Sequence, residues 1–197
     1  GIVSYPDNVI IKGCTNHANI KSDYIACGIA GWYGGASQMY SYWQLEIDKC
    51  CNYGNINAKI AVGIVDHNSI TGNCANYGAI TGKSVAAGIH GIYSGHFKFE
   101  AKNCVNFGKV HSDSISSGIL CAIKHSSILR CEISNSVNLG QITYNKRGAI
   151  VGTIEKFSYS KGDVYALITN NYFLDSSCPR AIYEGSSYAT ELSCTSM

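Results

Sequence analysis

The sequence predicts an all-β protein, a parallel β-helix (β-solenoid) of about five coils followed by a C-terminal cap. Three observations lead to this prediction. The pattern Cys-x-Asn-x-Gly-x-Ile recurs five times, a Gly-Ile pair follows at nearly fixed distance, and the spacing between copies is loose. Repeats of about 20–50 residues are typical of stacked folds, and the period-two alternation within the pattern is typical of strands.

The first motif of each repeat predicts a strand and a ladder of identical side chains. Its copies begin at Cys14, Cys50, Cys74, Cys104 and Ser136, and their asparagines are Asn16, Asn52, Asn76, Asn106 and Asn138. Stacked coils place equivalent residues about 4.8 Å apart, so the amides would hydrogen-bond along the column. We therefore expect these cysteines and asparagines to be structural ladder residues.

The second motif predicts a bend and a buried isoleucine. Its copies are Gly28-Ile29, Gly63-Ile64, Gly88-Ile89, Gly118-Ile119 and Ala149-Ile150, each 13 or 14 residues after the first position of its repeat. Glycine suits a bend with positive φ or a close approach of backbones. Right-handed crossovers dominate parallel sheets, so we expect right-handed coils.

The two ends of the chain differ from the repeats. Residues 1–170 are expected to form the solenoid, and residues 171–197 a terminal partial coil and cap, since end repeats must close the stack. The opening Gly1-Ile2-Val3 matches the sequence at 63–65, so the chain starts inside a coil. Such a start leaves an open sheet edge, which further coils of a longer protein or another molecule would cover.

The motifs resemble the GLUG-type repeats of large surface proteins of bacteria and some protists, over residues 1 to about 190. The resemblance lies in the alternation of the Gly-Ile motif with Cys-x-Asn-x-Gly-x-Ile, and in the closing segment "NYFLDSS" to "YATELSCTSM". It implies a β-helix on an extracellular or cell-surface protein, often an adhesin or stalk. The motifs of that family are structural, so the resemblance transfers no catalytic residue.

Composition narrows the classes of partner. The 197 residues are 46% hydrophobic and 14% charged, with a net charge of +2 and scattered basic residues. A nucleic-acid partner would favour a basic stripe, which the sequence lacks. No apolar run approaches the roughly 18 residues of a membrane-spanning helix, so membrane insertion is not expected.

The ten cysteines allow two interpretations. The four cysteines of the repeat position could form disulfides between neighbouring coils, because their spacing lies within the disulfide range, or a buried column of free thiols. Disulfides are expected more readily among Cys27, Cys51, Cys121, Cys131, Cys178 and Cys194. A Cys178–Cys194 bridge would staple the cap, and this cysteine density favours a secreted or surface setting.

Catalysis, metal binding and cofactors are not expected. The acidic residues form no pair on one face, and Asp66 replaces a corner glycine, which suggests a turn former. His67, His90 and His125 fall at different repeat offsets and are expected to be surface or turn histidines. The Cys50-Cys51 pair has no further ligands at zinc-site spacing.

Two groups of aromatic residues are candidates for binding. The longest insertion carries Trp32, Tyr33, Tyr40, Tyr42 and Trp43, and it could either bind a ligand such as a glycan or fold back on the solenoid. A column at the position after the asparagine contains His17, Tyr53, Tyr77, Phe107 and Leu139. Strict alternation would face this column outward and a turn at the asparagine would face it inward; the interior position is preferred.

The sequence therefore predicts an extracellular structural or adhesive module, either part of a longer surface fibre or a unit of an assembling filament. Its partners would be copies of itself or adjoining domains, contacted through the open N-terminal coil. The alternative is a carbohydrate-binding or carbohydrate-active β-helix that uses the aromatic insertion. An ice-binding rod ranks last, because no repeat position holds threonine.

Overall fold

The computed structural model describes residues 2–4, 9–31, 45–66, 69–93, 98–125, 131–144, 146–156 and 166–197. These ranges contain short strands and a 3-10 turn at Ser186–Tyr188, and no α-helix. All pairings between their strands are parallel. The predicted all-β parallel solenoid is confirmed.

The strands are numbered in chain order and grouped by coil. Strand β1 (Val3–Ser4) precedes coil 1, which contains β2 (Ile10–Lys12), β3 (Thr15–Asn16), β4 (Ile20–Lys21), β5 (Ile25–Cys27) and β6 (Ala30–Gly31). Coil 2 contains β7 (Glu46–Asp48), β8 (Cys51–Asn52) and β9 (Ile56–Val62). Coil 3 contains β10 (Ile70–Gly72), β11 (Ala75–Asn76), β12 (Ile80–Ala87) and β13 (His90–Tyr93).

The C-terminal half continues in the same way. Coil 4 contains β14 (Phe99–Lys102), β15 (Val105–Asn106), β16 (Val110–Ser112), β17 (Ile115–Ser117) and β18 (Leu120–His125). Coil 5 contains β19 (Cys131–Ser134), β20 (Val137–Asn138), β21 (Ile142–Thr143), β22 (Lys146–Gly148) and β23 (Val151–Lys156). Coil 6 contains β24 (Ala166–Phe173) and β25 (Ile182–Glu184), and β26 (Glu191–Ser196) follows.

The coils cross three faces in a constant order. The first face is a twelve-stranded sheet that begins each coil, with β2, β7, β10, β14, β19, β24 and β26 before a corner and β3, β8, β11, β15 and β20 after it. The second face is an eight-stranded sheet around β9 and β12. The third face contains β1 with β6 and, beyond Val65, the sheet β13-β18-β23-β25.

The residues after 170 extend the same sheets. Strand β24 runs from Ala166 to Phe173, so the division expected at residue 170 falls within a strand. It pairs with β19 and β20, while β25 pairs with β23 on the third face. Strand β26 then adds to β24 on the first face.

The interior consists of columns of apolar side chains that the repeats predict. Ile56 and Ile80 are in register, and both are almost completely buried. Ile64 and Ile89, from the Gly-Ile motif, have no exposed surface. Full burial of one such side chain contributes about 1.5–3 kcal/mol, so the columns are the main source of stability.

Glycine at the bends is required by close contact between coils rather than by positive φ. A Cβ atom on Gly63 would lie 2.0 Å from the carbonyl oxygen of Gly88 in the next coil. A Cβ on Gly54 would lie 1.9 Å from the carbonyl oxygen of Ala18 in the coil before. Ala18 occupies the equivalent position in coil 1, where the described residues contain no preceding coil.

A corner of the first face uses left-handed backbone, a feature that the sequence analysis missed. The residue just before the position of the ladder cysteines, which Ser136 and Asn171 occupy in coils 5 and 6, has φ between 53° and 62° in each coil: Gly13, Lys49, Asn73, Asn103, Asn135 and Asn170. Asparagine enters this region more readily than other non-glycine residues. The sequence does contain a signal for this left-handed corner, because four of the six coils have asparagine at this position.

His90 is an interior residue, which corrects the expectation of a surface or turn histidine. It has no exposed surface, and its Nε2 lies 3.1 Å from Oγ of Ser69. The Ser69 hydroxyl also lies 2.8 Å from Oγ1 of Thr71. The imidazole of His90 makes an edge contact with Phe99, and the two ring centroids are 4.5 Å apart. Coil 3 therefore buries a polar cluster in addition to its ladder asparagine.

Candidate interaction surface

The predicted asparagines form a continuous hydrogen-bonded ladder inside the first face. The Nδ2 group of each donates to Oδ1 of the asparagine in the next coil, at 2.7 Å from Asn16 to Asn52 and 2.8 Å for the following three steps. Asn138 ends the ladder by donating to Oγ of Ser177 at 3.1 Å. The ladder ties all six coils together with every bond in the same direction.

Each amide of the ladder also closes its own turn. The Nδ2 group of Asn76 donates to the carbonyl oxygen of Gly78 at 2.9 Å, and the other four asparagines make the equivalent bond. Asn76 therefore uses both of its donor hydrogens and its acceptor although it is fully buried. A buried amide with all partners present avoids the desolvation cost of an unpaired polar group.

The cysteines at the ladder position form a column of free thiols and no disulfides between coils, which is the second of the two interpretations. Backbone N–H groups of Cys14 and Cys50 donate to Sγ of Cys50 and Cys74, each at 3.4 Å. Further along, the N–H of Cys104 donates to Oγ of Ser136 at 3.2 Å. The side chain at this position therefore serves as a hydrogen-bond acceptor for the previous coil, a role that serine also fills.

All ten cysteines are free, so the expected disulfides are not formed. The predicted Cys178–Cys194 staple is wrong because the two residues lie on different faces. Cys178 follows Ser177, whose carbonyl oxygen accepts from the N–H of Ile142 on the second face. Cys194 pairs in register with Asn171 on the first face, so it belongs to the ladder column.

Burial makes most of these thiols poor nucleophiles. Desolvation raises the pKa of Cys104 and of Cys121 to about 12 and that of Cys194 to about 11. The hydrogen bond with Cys50, together with burial, raises the pKa of Cys74. Because the thiolate is the reactive form, these thiols stay protonated and inert at neutral pH.

The aromatic column faces outward, which overturns the preference for an interior position. His17, Tyr53, Tyr77 and Phe107 form a stack, here called the aromatic ladder, with ring centroids 4.6–5.0 Å apart and ring planes within 5° of parallel. Tyr53, Tyr77 and Phe107 are each 42–47% exposed. The alternation continues through the buried asparagine and the chain bends only at the residue after the ring, so the neighbours of the asparagine on both sides face solvent.

The stacking limits what the aromatic ladder can bind. The electron-rich face of an aromatic ring attracts cations and positively polarised groups, but both faces of Tyr53 and Tyr77 are covered by adjacent rings. The ladder presents ring edges and the two tyrosine hydroxyls. A flat partner can pack against this ridge more readily than a sugar can stack on a ring.

A second outward column widens this surface. It contains Thr15, Cys51, Ala75, Val105 and Val137, which are in register along the first face. Cys51, Ala75, Val105 and Val137 are half-buried, so they form a low apolar floor beside the rings. The aromatic ladder and this floor together make an exposed apolar strip that runs along the coil axis.

The strands of coil 1 pair mainly on one side within the described residues. Within the described residues, β2, β3, β4 and β5 pair only with strands of coil 2, and β6 alone has a second neighbour, β1. Ile10 is 60% exposed at this edge. A row of backbone groups with pairing capacity on one side is a template for another strand.

The aromatic insertion lies outside the described residues. Trp32, Tyr33, Tyr40, Tyr42 and Trp43 all fall between residues 32 and 44, and His67 is also outside the described ranges. Among the residues that the structure describes, no group of three or more His, Cys, Asp or Glu side chains could hold a metal ion. No helix in these ranges is long and apolar enough to cross a membrane.

Comparison with known proteins gives no further guide. The chain matches no protein-family model, no curated protein and no solved structure.

Proposed function

We propose that this chain is a structural or adhesive β-solenoid module of an extracellular or cell-surface protein, and that it forms part of a longer fibre or filament. The observation that carries the proposal is the Asn ladder, which runs from Asn16 to Asn138 in one direction and lies beside an open edge at coil 1. A stack with this regularity can be lengthened by adding coils, because each coil contacts mainly its neighbours.

The open edge supports contact with another solenoid segment. The amide oxygen of Asn16 accepts from the N–H of Ala18 at 3.2 Å, and a carbonyl oxygen has a second lone pair for a donor from a strand added at this edge. Such a strand would also cover one flank of the outward-facing side chain of Ile10. The proposed partners are therefore copies of the chain or adjoining domains.

The proposed location rests on the resemblance to GLUG-type repeats. The cysteine content no longer supports it, because the ten thiols are free and an oxidising compartment favours disulfides. The module is proposed to act without catalysis and without a cofactor. Its Ser69–His90 pair has the composition of a catalytic dyad, but both residues are buried and inaccessible to a substrate.

Electron microscopy of the native material, combined with sedimentation velocity over a hundredfold range of concentration, tests this proposal. We expect rods that lengthen into filaments as concentration rises, with the coil axis along the filament. Single rods of constant sedimentation coefficient at every concentration would contradict an assembling module.

Carbohydrate binding through the aromatic insertion is a second candidate, and the exposed ring edges of the aromatic ladder are the alternative site for it. A glycan screen with the unmodified chain, Trp32→Ala, Trp43→Ala and Tyr77→Ala distinguishes the insertion from the aromatic ladder as the binding site. Binding that is lost only in the tryptophan variants would support the insertion. No binding by the unmodified chain would exclude this candidate.

A further inference from the structure

We propose that copies of this chain stack head to tail, with β26 of one copy adding as a parallel strand to β2 and β3 of the next. The inference rests on the proposed structural function and names its partner: a second copy, contacted through its C-terminal strand. Strand β26 pairs with β24 on one side, and β2 and β3 pair with coil 2 on one side, within the described residues. All these strands run parallel in the same sheet, so the joint keeps the polarity of the first face.

At the joint, the C-terminal end of one copy and the N-terminal end of the next would build one coil together, here called the shared coil. Each end would contribute a strand to a different face of it. Strand β26 lies on the first face after coil 6, and β1 lies on the third face before coil 1. In the joint, β1 of the second copy would follow β25 of the first, with Val3 in the column of Ile182. The terminal strands therefore complement each other without competing for one position.

The interior columns continue across this joint. Leu192 is in the column of Ile168 and Ile11, and Cys194 is in the column of Asn171 and Cys14. Leu192 is 46% exposed, although its column equivalents Ile11 and Ile168 are buried. Covering such a side chain contributes roughly 25 cal/mol per Å² of apolar surface.

The thiols at the two ends of the ladder column are more exposed than those between them, as expected if another copy covers them at the joint. Cys14 and Cys194 are half-exposed, whereas Cys50, Cys74 and Cys104 between them are buried. Equivalent atoms in successive coils are about 4.8 Å apart, which lies within the Cα separation of a disulfide. An in-register joint therefore brings Cys14 of one copy to bridging distance of Cys194 of the other.

Charges at the joint are complementary. Glu191 belongs to the outward column of Ile10, and Lys12 is two residues further along the same strand, so the two would lie on a diagonal. In the interior of the array, Nζ of Lys102 lies 3.0 Å from Oε1 of Glu132 in the next coil. That is the opposite diagonal, which for Lys12 leads to Glu46 of its own chain. Lys12 and Glu191 are both exposed, and Lys12 also lies in register with Asp48 of its own chain.

Ala18 argues against a complete coil as the partner. By the geometry of Gly54, whose Cβ would lie 1.9 Å from the carbonyl oxygen of Ala18, the Cβ of Ala18 points to where a preceding coil would place its carbonyl. A full coil before coil 1 would therefore collide with this methyl group. Strands β26 and β1 lie on the first and third faces, so neither of them places a carbonyl group beside Ala18.

Disulfide trapping tests the joint. The chain is placed in a Cys50→Ser background, so that Cys14 cannot bridge within its own molecule; Ser136 shows that serine suits this column. Oxidised glutathione serves as the oxidant: the Cys14 thiolate attacks one of its sulfurs and releases a glutathione thiolate. The Cys194 thiolate then attacks the mixed disulfide and releases the second glutathione thiolate.

We expect covalent dimers and longer multimers on non-reducing gels, with peptide mapping that identifies Cys14–Cys194. Adding Cys14→Ser or Cys194→Ser should abolish them, whereas Cys51→Ser, which removes a half-exposed thiol outside the column, should not. Cross-links dominated by Cys14–Cys14 or Cys194–Cys194, or the absence of multimers, would overturn the proposal.

Charge reversal gives a test that does not depend on thiols. Lys12→Glu should slow the cross-linking about two- to fivefold, the range for one exposed ion pair. The double variant Lys12→Glu with Glu191→Lys should restore the rate. Lys21→Glu is the matched control, because Lys21 is an exposed lysine of coil 1 on the second face, where neither β26 nor β1 lies. An equal effect of both reversals would count against the joint.

The outcomes separate this inference from the proposed function. Filaments that form without a Cys14–Cys194 bridge would leave the structural role standing and overturn the head-to-tail joint. Single rods without cross-links would overturn both.

Discussion

The Nδ2 group of Asn52 donates both to Oδ1 of Asn76 in the next coil and to the carbonyl oxygen of Gly54 in its own coil, each at 2.8 Å. One side chain thus fixes the turn that follows it and the register of the neighbouring strand. A slip of the register by one residue would replace the buried amide by an outward-facing residue. This double role explains why asparagine recurs at the position in five coils.

Replacing Asn76 by alanine should lower the free energy of unfolding by about 3 kcal/mol. The change removes the acceptor of Asn52, the donor to Asn106 and the donor to Gly78, and each buried polar group left unpaired costs about 1–3 kcal/mol. Urea denaturation followed by circular dichroism measures the loss. Asn57→Ala, at an exposed asparagine on the second face, is the control and should change stability by less than about 0.5 kcal/mol. Equal losses would argue against the ladder.

Gly63→Ala should prevent folding or destabilise the chain by more than about 3 kcal/mol. Its Cβ would overlap the carbonyl oxygen of Gly88 at 2.0 Å, and backbone in a stacked coil cannot shift without disturbing its neighbours. Gly72→Ala is the matched control, since the nearest atom to its Cβ would be Oδ1 of Asp48 at 3.6 Å, an ordinary contact. Thermal unfolding of both variants makes the comparison, and a tolerated Gly63→Ala would contradict the close stacking of the bends.

The aromatic ladder should contribute to stability through its stacking. Tyr77→Ala removes two stacked contacts, each worth about 0.5–1.5 kcal/mol, so we expect a loss of about 1–2 kcal/mol in denaturation experiments. Tyr77→Phe keeps the ring and should be close to neutral. A loss of similar size in Tyr77→Phe would mean that the hydroxyl, rather than the stack, stabilises this surface.

The thiols should titrate as ten free groups. A thiol-specific reagent should count ten per unfolded chain purified without reductant, whereas a Cys178–Cys194 bridge would reduce the count to eight. In the native chain, Cys14 and Cys51 should react before Cys104 and Cys121. The pKa of each of the latter two is raised to about 12, so their thiolate fraction stays negligible at pH 8 and increases only as pH rises toward that value. Mass spectrometry after timed alkylation gives the order.

The regular part of the fold could be predicted because its signals are repeated. The alternation of Cys, Asn, Gly and Ile identified the strands, and one repeat position identified each member of the Asn ladder. The in-register stack then followed from the constant 13- or 14-residue spacing. All coils pack in nearly the same way, so five copies of a weak sequence pattern together support one prediction.

The features that the sequence analysis missed depend on contacts between coils. The outward position of Tyr53 follows from alternation alone, but hydrophobicity favoured an interior place, and only stacking against Tyr77 makes exposure tolerable. His90 could not be assigned to the core from its position in the repeat, because its ring packs against Phe99 of the next coil and bonds to Ser69 on a different face. Cys194 lies in the ladder column because the pairing of β26 with β24 shifts register between Ile168 and Asn171. The spacing of residues in the sequence does not indicate this shift.

The axial repeat of assembled filaments tests the central claim most directly. The first face contains seven successive strands along the axis, from β2 to β26, with β24 as the sixth. At about 4.8 Å per strand, head-to-tail stacking predicts a repeat of about 34 Å per copy. Helical reconstruction by cryo-electron microscopy that finds this rise, with β26 beside β2 of the next copy, would support the account. Filaments whose copies pack side by side, or a chain that remains monomeric at every concentration, would contradict it.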